Sequence, residues 1–87
     1  MITWNEEKDK WLREKRRISF TDVVEIIEQG KYLDILLNPA YNGKNIFIIW
    51  YNNYTYAVPF ESDMHDNIIL KTMYPSRKYH KMYRKKL

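Results

Sequence analysis

The spacing of apolar positions changes along the chain, and each change marks an element. From Asn5 to about Arg17 the pattern is helical, with Lys8, Trp11, Leu12 and Lys15 at i, i+3, i+4 and i+7. Trp11 and Leu12 are therefore expected to face the core with lysine stems beside them. Asn5 is placed to cap this helix, and Glu6 and Glu7 occupy its first turn, where the helix dipole favours acids. Met1 to Trp4, just before it, reads as a short edge strand. Ser19 opens a second helix whose apolar face is Phe20, Val23, Val24, Ile26 and Ile27. Asp22 stands at its third position in the manner of a capping box, and Gly30 is a left-handed stop.

Beyond Gly30 the period shortens. Lys31 to Leu37 predicts a strand, and Asn38 to Lys44 a loop marked by Asn-Pro and Asn-Gly. Asn45 to Tyr51 is the most apolar segment and the expected central strand. Asn52-Asn53 tolerates positive φ and predicts a tight hairpin into Tyr54 to Phe60, which alternates in polarity. Pro59 has no N–H to give, so this strand is expected to end there or to be locally unpaired. Glu61 to Asn67 is an acidic turn containing His65. Ile68 to Tyr74 predicts a last strand, Pro75 breaks it, and Ser76 caps a short basic helix from Arg77. The order predicts a single α+β domain over residues 1–87. It has a small antiparallel sheet of about four strands, two N-terminal helices on one face and a C-terminal basic helix.

Charge sharpens this picture at one end. Residues 1–17 carry a net +2, residues 18–68 a net −5, and residues 69–87 seven bases without an acid, within a chain of net charge +4. A basic end on an acidic body suits a polyanion or an acidic protein partner. On the last helix Arg77, Lys78, Lys81, Arg84 and Lys85 gather on one side and Tyr79, Met82 and Tyr83 on the other, with His80 on the border. Lys15-Arg16-Arg17 is a second basic cluster, which taken alone complements a helix end.

Composition excludes several chemistries. The chain has no cysteine, hence no disulfide, thiolate zinc site or cysteine nucleophile, which fits a reducing cytoplasm. No metal-ligand spacing, glycine-rich phosphate loop or carboxylate pair is present, so neither metal nor cofactor is expected. The charged N-terminus is not a signal peptide, and no apolar run is long enough for a membrane span.

Three short motifs carry a resemblance. They are Trp4-Asn5-Glu6-Glu7-Lys8, then Ile18-Ser19-Phe20-Thr21-Asp22-Val23-Val24, then Ser76-Arg77-Lys78 after the last strand. Together they resemble the BrnT toxins of bacterial type II toxin–antitoxin systems, with Arg16-Arg17 standing where that family usually has His-Gly. The resemblance implies a RelE-like ribonuclease fold, RNA cleavage that inhibits translation and growth, and neutralisation by a cognate antitoxin in a hetero-oligomer. Such an enzyme must activate the 2′-OH, stabilise the phosphorane and protonate the leaving 5′-oxygen. Arg77 suits the phosphate, being a planar fork of donors. Lys71 is a second source of charge stabilisation, His80 is the candidate general base or acid, and Tyr83 a proton donor. Lys78, Lys81, Arg84, Lys85, Arg16 and Arg17 are the candidate RNA-binding residues. The competing expectation is a module that binds RNA or an acidic partner through the same basic helix and performs no chemistry.

Overall fold

A computed structural model describes residues 1–38 and 44–86 of the chain. Strand β1 (Ile2–Trp4) leads into helices α1 (Glu6–Arg16) and α2 (Phe20–Glu28). Strands β2 (Asp34–Asn38), β3 (Lys44–Tyr51), β4 (Tyr54–Ser62), β5 (Ile68–Leu70) and β6 (Tyr74–Pro75) follow. Helix α3 (Arg77–Tyr83) and a 3₁₀ turn at Arg84–Lys86 close the described chain. The protein is α+β, with three helices and one open sheet of six strands in place of the four expected. The sheet order is β1-β5-β4-β3-β2, with β6 beside β4. β1 runs parallel to β5 and the other pairings are antiparallel.

The helix ends follow their sequence signals. Asn5 Oδ1 accepts the Lys8 N–H at 2.9 Å. At the end of α2 the Gly30 N–H reaches Ile27 O and the Lys31 N–H reaches Ile26 O, both at 3.0 Å, with Gly30 at φ 69°. These two bonds make a Schellman closure, which needs a residue free to take positive φ. α1 also stops on a left-handed residue, Arg17 at φ 56° with its N–H bonded to Leu12 O, so a side chain sits where glycine is favoured. The capping box expected at α2 is replaced by a relay. Ser19 Oγ accepts the Thr21 N–H, while the Ser19 N–H donates to the Tyr51 hydroxyl, which in turn donates to Asp22 Oδ2 at 2.6 Å.

Both faces of the sheet are covered. On one, Leu12, Phe20, Val23 and Ile27 of the two N-terminal helices, with Ile18 from the link between them, pack on Phe47, Ile49, Val58, Phe60 and Leu70. Phe47 and Phe60 stack at 4.4 Å within it. α3 lies on the other face, where Ile48, Thr55 and Ala57 are fully buried. Leu12 is buried as expected, but Trp11 is 42% exposed, with Lys8 and Arg16 over its ring. The inward stripe of α1 runs through Asp9 instead. Asp9 Oδ1 accepts the buried Phe20 N–H at 2.8 Å and Oδ2 pairs with Arg13. An acid of one helix thus satisfies an orphan donor at the start of the next.

Pro59 takes the second of its two expected roles, a locally unpaired position within a continuing strand. β4 continues through it to Ser62, and the interruption falls on the neighbouring strand. Lys71 N–H donates to Pro59 O, so the return bond would need the N–H that proline lacks. Here the expected strand from Ile68 to Tyr74 divides into β5 and β6. The register also slips by one residue, from Phe60 opposite Leu70 to Ala57 opposite Tyr74, as in a bulge. The expected strand at Lys31 to Leu37 begins only at Asp34. The expected loop at 38–44 has its ends paired, Asn38 opposite Lys44, and its residues 39–43 lie outside the described residues.

Candidate functional site at the start of the last helix

Ser76 fixes where α3 begins. Its N–H donates to Thr55 O at 3.0 Å, and its hydroxyl accepts the Tyr79 N–H at 3.2 Å. The first bond ties the helix start to β4 and the second caps it. Arg77, the first helical residue, is exposed at the mouth of an open groove of about 400 Å³ lined by Tyr54, Tyr56, Pro75 and Arg77. One turn on, His80 Nδ1 lies 3.0 Å from Thr55 Oγ1. Its ring stacks on Tyr54 at 4.2 Å and 13°, and lies 18° from parallel with Trp50 at 6.0 Å.

The hairpin makes this arrangement possible. Asn52 and Asn53 both take positive φ (50° and 59°), giving a two-residue turn with Tyr51 opposite Tyr54 and Trp50 opposite Thr55. That register sets Trp50 beside Thr55 on the face that α3 covers, and the Tyr54 ring at the turn also reaches His80. The Thr55 contact also governs His80 chemistry. If the hydroxyl donates to Nδ1, the neutral ring carries its proton on Nε2. If Nδ1–H donates to the hydroxyl, Nε2 is free to accept.

Arg77 and His80 are the two expected catalytic residues that share this site. Lys71 is not among its neighbours. It sits opposite Pro59, four residues along β4 from Thr55, or roughly 13 Å at strand spacing. Its Nζ is 3.9 Å from Glu61 Oε2. Tyr83 is 6% exposed and donates its hydroxyl to Asp34 Oδ2 at 2.7 Å. Burial first, and then the bond to Asp34, push its pKa up to about 12. A hydroxyl so held keeps its proton. The apolar side of α3 is correspondingly Tyr79, His80 and Tyr83, while Met82 turns outward at 58% exposure.

Lys78, Lys81, Arg84 and Lys85 are exposed along α3 and the turn after it. Among the described residues, neither these four nor Arg77 forms an ion pair. Arg16 and Arg17 end α1, which packs on the opposite face of the sheet, so the two basic clusters do not form one patch. His65 is exposed in its loop, where Asp63 accepts the Asn67 side chain and the Asn67 and His65 N–H groups. Those bonds hold the Asp63 carboxyl below its ordinary value. Among the described residues no group of three or more potential ligands is suited to a metal ion. Among the same residues no helix is long and apolar enough to cross a membrane.

Compared with protein-family models, curated proteins and solved structures, the chain matches none of them. The site's chemistry therefore rests on its geometry. Sequence reasoning missed Trp50, Tyr54, Thr55 and Tyr56, although the alternation of Tyr54 to Phe60 and the Asn-Asn turn were both visible. Placing Trp50, Tyr54 and Thr55 beside His80, and Tyr56 in the groove with Arg77, requires the pairing of the final strand, which is a long-range property.

Proposed function

We propose that the chain is the toxin of a type II toxin–antitoxin pair, a BrnT-like endoribonuclease of RelE-like fold that cleaves RNA without a metal. It acts in the bacterial cytoplasm and is neutralised by a cognate antitoxin. The observation that carries the reading is that Arg77 lines an open aromatic groove whose Tyr54 wall stacks on His80, within a terminal stretch that holds seven bases and no acid. Arg17 adds support to the resemblance, since it takes the left-handed conformation at the position where that family usually has glycine.

In the reaction, Arg77 holds the scissile phosphate with paired N–H donors and offsets the charge gathering on the phosphorane. His80 serves as general base with its Nδ1 proton on Thr55, so that Nε2 takes the proton of the 2′-OH. The 2′-oxygen attacks phosphorus, and the bond to the 5′-oxygen breaks as that oxygen takes a proton from solvent water. The products are a 2′,3′-cyclic phosphate and a 5′-hydroxyl. Lys78, Lys81, Arg84 and Lys85 neutralise flanking phosphates, and Lys71 serves a phosphate farther along the sheet. Tyr83 positions α3 through Asp34.

A second reading, RNA or antitoxin binding without cleavage, is favoured by the closed setting of the His80 ring, stacked and hydrogen-bonded as a structural residue would be. Inducible expression in a bacterial host separates the two, following growth and total RNA integrity together. Growth arrest with RNA decay, both lost in Arg77→Ala and His80→Ala variants that remain folded, is the expected result. Growth arrest with intact RNA, or full toxicity in both variants, rejects the nuclease assignment.

A further inference from the structure

We infer that the ring stack beside the groove is a platform for unpaired nucleobases, so that the site takes single-stranded RNA and discriminates against duplex. This deepens the proposed reading and rests on it for the identity of the polyanion. Two aromatic rings from the hairpin flank His80 of α3: Trp50 of β3 lies within 18° of parallel with it and Tyr54 of β4 within 13°. Trp50 keeps 40% of its surface exposed, although Ile48, on the same face of its strand, is fully buried. Tyr54 also forms one wall of the groove that Arg77 opens.

The cations complete the arrangement. At helical spacing Arg77 and Arg84 lie three residues before and four after His80, so they flank its edge of α3. An open indole face, a tyrosine wall and flanking guanidinium groups match the needs of a single strand, whose bases turn out and stack while its phosphates are neutralised. Duplex RNA offers no free base face and would gain the phosphate term alone.

The test uses the full chain and a labelled 2′-O-methyl oligoribonucleotide, which lacks the attacking hydroxyl and stays intact. Fluorescence anisotropy compares the single strand with the same sequence in duplex, at several salt concentrations. Trp50→Leu and Tyr54→Leu keep apolar contact with His80 but remove the ring faces, and circular dichroism checks that they fold. The single strand should bind at least about tenfold more tightly than duplex. Each leucine variant should lose roughly tenfold in single-strand affinity with an unchanged salt slope. Trp50→Phe, which restores a ring, should recover most of the Trp50→Leu loss. Equal affinity for duplex, or wild-type affinity in both folded leucine variants, overturns the inference. Single-strand preference in a protein that leaves ordinary RNA intact would reject the nuclease reading and leave the platform standing.

Discussion

Replacing Tyr83 with phenylalanine separates a positioning hydroxyl from a chemical one. The side chain is 6% exposed and its hydroxyl donates to Asp34 Oδ2 at 2.7 Å, joining α3 to β2. Deleting the hydroxyl removes a hydrogen bond to a charged acceptor, an interaction of about 1.5–3 kcal/mol when well shielded. Asp34 is half-buried and its other oxygen still accepts the Ile35 N–H, so water recovers part of the loss. A destabilisation of about 1.5 kcal/mol follows, which lowers Tm by roughly 6–12 °C for a domain of this size.

The pH dependence gives an independent check. The folded state raises the Tyr83 pKa from 10.0 to about 12, so it favours the protonated phenol. The stabilisation is fully present below pH 10 and is lost as pH rises towards 12. Thermal melts followed by circular dichroism should show the Tyr83→Phe gap constant from neutral pH to about 9, then closing above 10. Growth inhibition should survive at a temperature where the variant is folded. An unchanged Tm together with lost toxicity would refute the reasoning and assign the hydroxyl to the reaction.

Other substitutions probe the frame. Arg17→Gly relieves a left-handed side chain and should raise stability by about 1 kcal/mol in urea titration, whereas Arg17→Val should lower it. Asp9→Ala strands the buried Phe20 N–H and should cost about 1–3 kcal/mol, while Asp9→Asn, which keeps an acceptor, should recover much of it. Tyr51→Phe breaks the relay from Ser19 to Asp22. Its folded-state pKa, pushed up to about 12 chiefly by burial and then by Asp22, predicts a loss confined to pH below about 12, near 1 kcal/mol given its solvent contact.

Local rules carried the sequence reading wherever both partners lay close in the chain. Asn5, Ser76 and Gly30 end helices as their chemistry dictates, and Asn52-Asn53 makes the hairpin. Two features needed the fold to settle them. Helical spacing turns Trp11 inward with Leu12, yet Lys8 and Arg16 give the ring cationic partners at the surface, and the core stripe passes through Asp9 and Leu12. Pro59 leaves a strand end and a local unpairing both open in the sequence; the strand runs on, and the missing donor is felt across the ladder, at Lys71. The site divides the same way. Arg77 and His80 share a helix face and were legible together. Their partners Trp50, Tyr54 and Thr55 come from a hairpin some 25 residues earlier, and no local period links the two. The split strand also leaves Lys71 beyond the reach of His80.

The most direct test of the central claim is to incubate the purified chain with single-stranded RNA in the presence of a chelator and to identify the product ends. Cleavage yielding 2′,3′-cyclic phosphate and 5′-hydroxyl ends, absent with Arg77→Ala and His80→Ala, is the result predicted. RNA recovered intact after long incubation with folded protein, or cleavage that persists in both variants, would contradict it.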